Sequence, residues 1–199
     1  MILRRIVTLL SAGAFAVGLS TTLAGTARAD VPPSPDWNEI VSQWDHNFNN
    51  TLCLDDPGGS HTQGTQLQLW HCHGSGSTGD PQRWHFADSG WRGTDGTKGY
   101  LIELNSTRSG TPLCITFPVG DINSGVIPPN ERLVLGSCNT LYAVWFMNTA
   151  PGSNPLITLE DFGGNNCMAT ADFTDNNGTP LIVKNCSDTS DLSQVWFLA

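Results

Sequence analysis

The sequence predicts an all-β domain made of three similar units. A frame of two cysteines followed by a tryptophan occurs three times, and such internal similarity indicates a repeated structural unit. Short alternating apolar and polar runs are separated by glycine, proline, asparagine and aspartate, which is typical of strands joined by turns. The pattern contains no amphipathic helix of useful length. The alternating runs include Leu67/Leu69, Leu101/Leu104, Leu133/Leu135, Leu156/Ile157/Leu159 and Leu181/Val183.

The most complete copy of the frame runs from Cys53 to Phe86. It begins with C-L-D, continues to Q-L-Q-L-W-H-C and closes with Q-R-W-H-F. We expect the first strand of this unit to lie before it, between Trp37 and Asn50. The other two copies are Cys114 to Cys138 followed by Ala143-Val144-Trp145-Phe146, and Cys167 to Cys186 followed by Gln194-Val195-Trp196-Phe197.

The frame resembles that of ricin B-chain-type (R-type) lectins, a group also classed as carbohydrate-binding module family 13. The C-L-D, Q-L-W-x-C and Q-x-W motifs match in the first copy, and the frame extends from Cys53 to Phe197. The resemblance implies a β-trefoil of three four-stranded pseudo-repeats, each with one disulfide. Six cysteines allow fifteen pairings, and the repeat implies one of them. That pairing is Cys53–Cys72, Cys114–Cys138 and Cys167–Cys186.

Residues 1–29 have the composition of a secretory signal peptide. Arg4 and Arg5 precede an apolar run from Ile6 to Leu19, and Ala27-Arg28-Ala29 provides a small-x-small cleavage pattern. The run is too short for a spanning helix, although a retained anchor is the alternative interpretation. We expect 1–29 to be removed, 30–36 to form a proline-rich leader, and 37–199 to form one trefoil domain that is secreted to the extracellular space.

The chain is acidic, which disfavours nucleic acid and membrane surfaces as partners. It has 9 Lys and Arg against 18 Asp and Glu. Three of the basic residues and none of the acidic ones lie in 1–29. The mature chain would therefore have 6 basic and 18 acidic residues, a net charge of −12. This charge repels nucleic acid and anionic membranes but does not affect a neutral sugar. We therefore expect a glycan partner and no membrane insertion.

The first repeat contains the residue types that a sugar site needs. A carboxylate accepts two hydroxyl protons, amide and imidazole groups add hydrogen bonds, and an aromatic ring packs on the C–H-rich sugar face. By resemblance, Asp55 is the ligand carboxylate and Trp70 is the stacking aromatic residue. Gln68 shares a strand face with Trp70, while His73 and Gln82 match polar contact positions of the family.

Other roles are open for these residues. Asp55 could cap the Pro57-Gly58 turn, Trp70 could lie in the core, as aromatic residues usually do, and Gln82 could bond neighbouring backbone. Pro81 stands where relatives commonly have an asparagine, so one polar contact is missing. The tryptophans that end the three repeats are expected in the core: Trp84, Trp145 and Trp196.

The second and third repeats lack the same set of residues. At the carboxylate position they have Thr116 and Ala169, and at the aromatic position they have Gly136 and Lys184. The second repeat also has Ala143 in place of the glutamine of Q-x-W. We therefore predict a single sugar site, in repeat one, and the resemblance implies galactose- or xylose-type units as its ligands.

The sequence contains no recognisable catalytic or metal-binding motif. A glycosidase needs two carboxylates facing each other across a cleft, and Asp55 and Asp56 are neighbours on opposite strand faces. The cysteines form no C-x-x-C cluster, and His71 and His73 flank Cys72 without an evident third ligand. We expect no enzyme activity, metal or cofactor. The alternative function is a secreted interaction protein, of toxin-targeting or protease-inhibitor type, with a vestigial sugar site.

Two stretches lengthen the repeats beyond the common frame. The first, Asp88 to Gly99, is rich in glycine and is interpreted as a surface loop. The second extends from Val119 to Asn130. Because long loops usually have a functional explanation, we expect these stretches to shape the rim of a binding site.

Overall fold

The computed structural model describes residues 37–43, 51–74, 81–104, 111–118, 127–149, 156–172, 176–186 and 191–199. Over these ranges the chain forms twelve strands joined by antiparallel pairing, with three short 3-10 turns. This confirms the predicted all-β class. Residues 1–36 lie outside these ranges, so the signal peptide and leader stay predictions. Among the described residues, no helix has the length and apolarity to cross a bilayer.

The strands fall into three groups of four that follow the repeat frame. The predicted first strand is present as β1, while 44–50 lie outside the described residues. Repeat one has β1 (Ile40–Ser42), β2 (Leu52–Asp55), β3 (Gln68–His71) and β4 (Trp84–Arg92). Repeat two has β5 (Lys98–Leu104), β6 (Leu113–Thr116), β7 (Val134–Ser137) and β8 (Val144–Thr149). Repeat three has β9 (Ile157–Asp161), β10 (Asn166–Thr170), β11 (Leu181–Asn185) and β12 (Trp196–Leu198).

Each repeat contains a central hairpin that carries its disulfide. The second and third strands of each repeat pair antiparallel, and the three predicted disulfides are formed. Their sequence separations are 19, 24 and 19 residues. Loops of this length contribute about 3 kcal/mol each in the chain-entropy estimate. The opposed residues are Cys53 and Trp70, Cys114 and Gly136, and Cys167 and Lys184.

The tryptophan that ends each repeat anchors the core. All three side chains are fully buried, which confirms their predicted role. Each indole Nε1–H donates to the carbonyl oxygen of the residue after the first cysteine of its repeat, so its single polar group is satisfied. The distances are 3.1 Å from Trp84 to Leu54, 3.0 Å from Trp145 to Ile115, and 3.2 Å from Trp196 to Met168.

A ring of backbone hydrogen bonds ties the repeats together around the pseudo-threefold axis. The amide of Leu67 donates to the carbonyl of Leu133, Leu133 donates to Leu181, and Leu181 donates back to Leu67, each at 2.9 Å. The side-chain amide of Gln66 donates to the same three carbonyl oxygens, at 3.2, 3.1 and 2.8 Å. The ring fixes each central hairpin relative to the other two.

The stretch from Asp88 to Gly99 is a β-hairpin on the surface, so its predicted surface position was right but its interpretation as a loop was wrong. β4 continues to Arg92 and β5 begins at Lys98, with a register shift between Asp88 and Arg92. Asp88 lies 3.1 Å from Arg92 in the same strand and 3.2 Å from Lys98 in β5, so the second of these ion pairs links the two strands. High glycine content concealed this pairing in the sequence. Most of the second stretch, 119–126, lies outside the described residues.

Candidate functional site

The β2–β3 hairpin brings three predicted site residues onto one face. Asp55 lies opposite Gln68, and Cys53 lies opposite Trp70. Directly opposed residues share a face, and side chains alternate along each strand. Asp55, Gln68 and Trp70 therefore project from the same side of the hairpin, which the Cys53–Cys72 disulfide closes.

Asp55 is a buried carboxylate held by two amides. Its side chain is 3% exposed, and it accepts hydrogen bonds from Gln68 Nε2 at 2.9 Å and from Gln82 Nε2 at 3.2 Å. Burial raises the pKa of the Asp55 carboxyl above its ordinary value, and the two amide hydrogen bonds partly oppose this rise. The result is a carboxylate fixed in position but poorly solvated.

Gln82 connects Asp55 to the backbone that follows Trp70. Its Nε2 also donates to the carbonyl oxygen of His71 at 2.9 Å, and its Oε1 accepts from the backbone amide of His73 at 2.8 Å. The expected structural role of Gln82 is therefore present, and the same side chain contacts the candidate ligand carboxylate.

Trp70 lies on the surface, which removes the alternative of a core role. Its indole is 39% exposed, whereas Trp84 in the same repeat is fully buried. An exposed indole on the same face as a fixed carboxylate offers a flat apolar surface beside a hydrogen-bond acceptor. This is the pairing of groups that a sugar ring requires.

Asp56 rather than Asp55 caps the turn after β2. Ser60 Oγ donates to Asp56 Oδ1 at 2.9 Å, and the backbone amide of His61 donates to Asp56 Oδ2 at 2.9 Å. The two adjacent aspartates thus have separate roles, because they project to opposite faces. Asp55 is left facing the candidate site.

The far end of β3 is held by a residue that the sequence interpretation missed. Asn177, in the β10–β11 turn of repeat three, accepts through Oδ1 a hydrogen bond from the His71 amide at 2.9 Å. The only sequence signal was the Asn176-Asn177-Gly178 turn motif, which gave no indication of its partner. His73 is exposed beside Gln82, while 75–80 lie outside the described residues.

Repeat two has no room for the missing aromatic side chain. A β-carbon added at Gly136 would collide with the methyl group of Thr116. The equivalent of the carboxylate position therefore blocks the equivalent of the tryptophan position.

In repeat three, the residue at the position equivalent to Trp70 belongs to a closed polar network. Lys184 Nζ donates to Ser193 Oγ at 3.1 Å, and Ser193 Oγ donates to Asp191 Oδ1 at 2.6 Å. Ala169, at the carboxylate position, is fully buried. Lys184 therefore interacts with its own repeat and offers no flat face to a ligand.

Three groups of potential metal ligands occur among the described residues, and each includes a disulfide. They combine Glu39, Glu103 or Glu160 with the two sulfurs of the adjacent cystine. The metal-binding form of cysteine is the thiolate, and these sulfurs are bonded to each other. The groups therefore do not provide a metal site in the oxidised protein.

Comparison with protein families matches residues 46–196 to the ricin-type beta-trefoil lectin domain. Comparison with curated protein sequences found no match. Among solved structures, the chain is similar to ThreeFoil, a designed threefold-symmetric protein, with a TM-score of 0.61 and 13% identity. The alignment covers 82% of this chain and 97% of ThreeFoil.

Two natural proteins with similar structures are a lectin and an enzyme. The Macrolepiota procera ricin B-like lectin, solved with lactose, gives a TM-score of 0.53 at 18% identity, covering 83% of this chain and 95% of the lectin. An exo-beta-1,3-galactanase from Clostridium thermocellum gives a TM-score of 0.60 at 15% identity. That alignment covers 84% of this chain but 30% of the enzyme. These identities show a shared fold alone. Because the family match spans most of the sequence and the structure has the expected repeats, the chain belongs to the ricin-type β-trefoil lectin family.

Proposed function

We propose that the protein is a secreted lectin that binds a galactose- or xylose-type glycan through one repeat-derived site, in repeat one. The observation that carries the proposal is the buried Asp55 carboxylate beside the exposed Trp70 indole on one hairpin face. Family membership supports carbohydrate binding in general. The equivalent positions of repeats two and three contain neither a carboxylate nor an aromatic ring.

The proposed binding mode uses each side chain for one part of the sugar. Asp55 receives two amide hydrogen bonds and, as a carboxylate has about four lone-pair sites, it retains capacity for two sugar hydroxyls. Trp70 packs against the C–H face, and Gln68 and His73 add polar contacts at the edge. Hydrogen bonds to a poorly solvated carboxylate are stronger than those made in water.

The affinity of such a site is expected to be weak. The hairpin face is shallow, and Pro81 cannot donate the hydrogen bond that an asparagine would provide. A dissociation constant of about 0.1–1 mM corresponds to a binding free energy of about −4 to −5.5 kcal/mol.

Calorimetry with galactose, lactose and xylo-oligosaccharides tests this proposal. Trp70→Ala removes the stacking face and Asp55→Ala removes the double acceptor, so each should weaken binding at the repeat-one site by about 1–3 kcal/mol, which abolishes detectable binding at that site. Trp37→Ala, which truncates another exposed indole, is the matched control and should bind normally. Total binding that is unchanged in Trp70→Ala would place the site elsewhere. Failure to bind any glycan on an array, together with a co-purifying protein, would favour an interaction protein.

We also propose that the protein binds without catalysis. Asp56, the nearest other carboxylate in sequence, is engaged in the turn after β2, so it does not form a facing pair with Asp55. The similarity to the galactanase covers 30% of that chain and carries no activity over. Oligosaccharide hydrolysis that disappears in Asp55→Asn would contradict this proposal.

Secretion completes the proposal, because three disulfides suit an oxidising compartment. Export should remove residues 1–29 and leave Asp30 at the amino terminus. Mass spectrometry of the protein from the culture medium would show this terminus, and an intact Met1 on membrane-bound protein would contradict it.

A further inference from the structure

A second cavity lies at the boundary between repeats two and three, outside the β2–β3 hairpin. Its volume is about 410 Å³, within the range of roughly 300–1,000 Å³ that is typical of small-molecule sites. The β9–β10 turn forms one wall, and residues before β8 and at the end of β11 form the others. None of the residues equivalent to Asp55 or Trp70 lines it, so it is distinct from the repeat-derived sites.

A buried carboxylate forms the centre of the polar wall. Asp161 is 2% exposed and accepts hydrogen bonds from Asn166 Nδ2 at 2.9 Å and from the Asn165 amide at 3.3 Å. The Gly164 amide donates to the Asp161 carbonyl at 2.9 Å, with Gly164 in the left-handed region at φ 69°. These bonds fix the turn and hold the carboxylate against the cavity.

Two further polar residues line the cavity. They are Tyr142 and Asn185, and the side chain of neither makes a hydrogen bond within the described part of the chain. The Tyr142 ring packs against the core, which fixes its hydroxyl, and Asn185 ends β11. Together they offer donors and acceptors to a ligand.

The apolar wall continues into an exposed aromatic surface. Phe162 lines the cavity and is backed by Phe146, with ring centroids 6.3 Å apart. On its other side Trp91 contacts Phe162 edge-on, with centroids 5.2 Å apart. The Trp91 indole is 46% exposed, so a ligand in the cavity could extend onto it.

The β4–β5 hairpin holds Trp91 in this position. Ser89 Oγ accepts from the Trp91 amide at 3.2 Å and donates to the Gly99 carbonyl at 2.7 Å. The hydrogen bond from Arg92 keeps the pKa of Asp88 well below its ordinary value, so the Asp88–Lys98 ion pair between the strands persists in acid. The stretch that lengthens repeat one therefore presents an indole on a fixed support.

The lining chemistry indicates the class of ligand. Among the described residues that line the cavity there is no lysine or arginine, which disfavours phosphates and acidic sugars. A carboxylate, amides, a phenol and an aromatic platform together suit vicinal hydroxyls and a C–H face. We propose that this cavity and Trp91 form a second glycan site for a neutral oligosaccharide, independent of the site in repeat one.

Nuclear magnetic resonance of the mature protein can separate the two sites. The indole N–H signals of Trp70 and Trp91 report on them individually during titration with lactose and with xylotetraose, up to their solubility limits. We expect the Trp91 signal to shift with at least one of these sugars, and to shift equally in Trp70→Ala. No shift at Trp91, or a shift that disappears in Trp70→Ala, would overturn the second site. A shift at Trp91 without one at Trp70 would instead contradict the proposed function.

Two side-chain changes identify the contacts within the cavity. The double variant Tyr142→Phe/Asn185→Ala removes the Tyr142 hydroxyl and the Asn185 amide while it keeps the ring and the β11 backbone. It should weaken the Trp91-linked affinity by about tenfold or more and leave the Trp70 titration unchanged. Trp37→Ala is the control and should alter neither titration. Unchanged Trp91-linked affinity in a correctly folded double variant would overturn the proposal.

Discussion

Repeats one and three share a framework but differ at the surface above it. Both disulfides have a sequence separation of 19 residues, and both final tryptophans donate to an equivalent carbonyl. Gln82 and Gln194 each donate to the backbone carbonyl before the second cysteine, at 2.9 Å. The cysteine, tryptophan and glutamine positions therefore serve the fold, whether or not a ligand site is present.

The two repeats differ in the second hydrogen-bond partner of the Q-x-W glutamine, which is Gln82 in repeat one and Gln194 in repeat three. In repeat one, Gln82 Nε2 also contacts Asp55, which faces the exposed Trp70. In repeat three, Gln194 Nε2 lies 3.5 Å from Asp191, which is already bonded to Ser193. The network of repeat one ends at the Asp55 carboxylate beside the Trp70 indole. In the network of repeat three, Asp191 instead bonds to Ser193 of the same repeat. Repeat three therefore keeps the groups that serve the fold and lacks the candidate sugar-binding groups of repeat one.

The largest expected effect is a difference in stability between alanine variants of two tryptophans of repeat one. Trp84→Ala should lower the free energy of unfolding by about 3–5 kcal/mol, because it empties the core and orphans the Leu54 carbonyl. Trp70→Ala should lower it by less than about 0.5 kcal/mol, as is usual for an exposed site. Urea denaturation with the disulfides intact measures both. Equal losses would show that Trp70 also supports the fold.

A smaller effect is expected from placing the carboxylate of repeat one into repeat three. Ala169→Asp buries a charge opposite Ile182, where repeat one has Gln68. It should destabilise the protein by about 1–3 kcal/mol, because an acceptor is left unsatisfied. Adding Ile182→Gln should recover part of this loss, and a double-mutant cycle would measure the coupling. No coupling would mean that the pairing of Asp55 with Gln68 contributes little.

Acid should weaken sugar binding before it affects ordinary carboxylates. Burial raises the pKa of Asp55, and the ionised form is the double acceptor, so affinity should fall as the pH drops through this raised pKa. The effect on stability has the opposite sign. A raised pKa in the folded state stabilises the fold below the unfolded pKa, and this contribution is lost as the pH rises through the folded value. Calorimetry across the acid range tests the binding, and its midpoint should lie above that of an exposed aspartate.

The fold could be predicted from sequence because its determinants repeat. Cysteine spacing and the Q-x-W motif occur in register, so the hairpins and disulfides followed from local pattern. The β4–β5 hairpin could not be identified, because the ion pairs of Asp88 depend on a register shift that glycine-rich sequence does not show. The candidate site was only partly visible. Asp55, Gln68 and Trp70 share a face through alternation, whereas Asn177 joins from another repeat through packing.

The smallest expected effect concerns Lys184, which occupies the position equivalent to Trp70. Lys184→Ala removes a hydrogen bond to Ser193 but no flat face and no acceptor for a sugar. Sugar binding should therefore be unchanged in calorimetry with lactose, while Trp70→Ala, measured in parallel, should remove the repeat-one component of that binding. The free energy of unfolding should change by less than about 1 kcal/mol, because the bond is partly solvated. A clear loss of lactose affinity in a folded Lys184→Ala variant would mean that repeat three binds sugar through a cation, and repeat one would then not be the sole repeat-derived site.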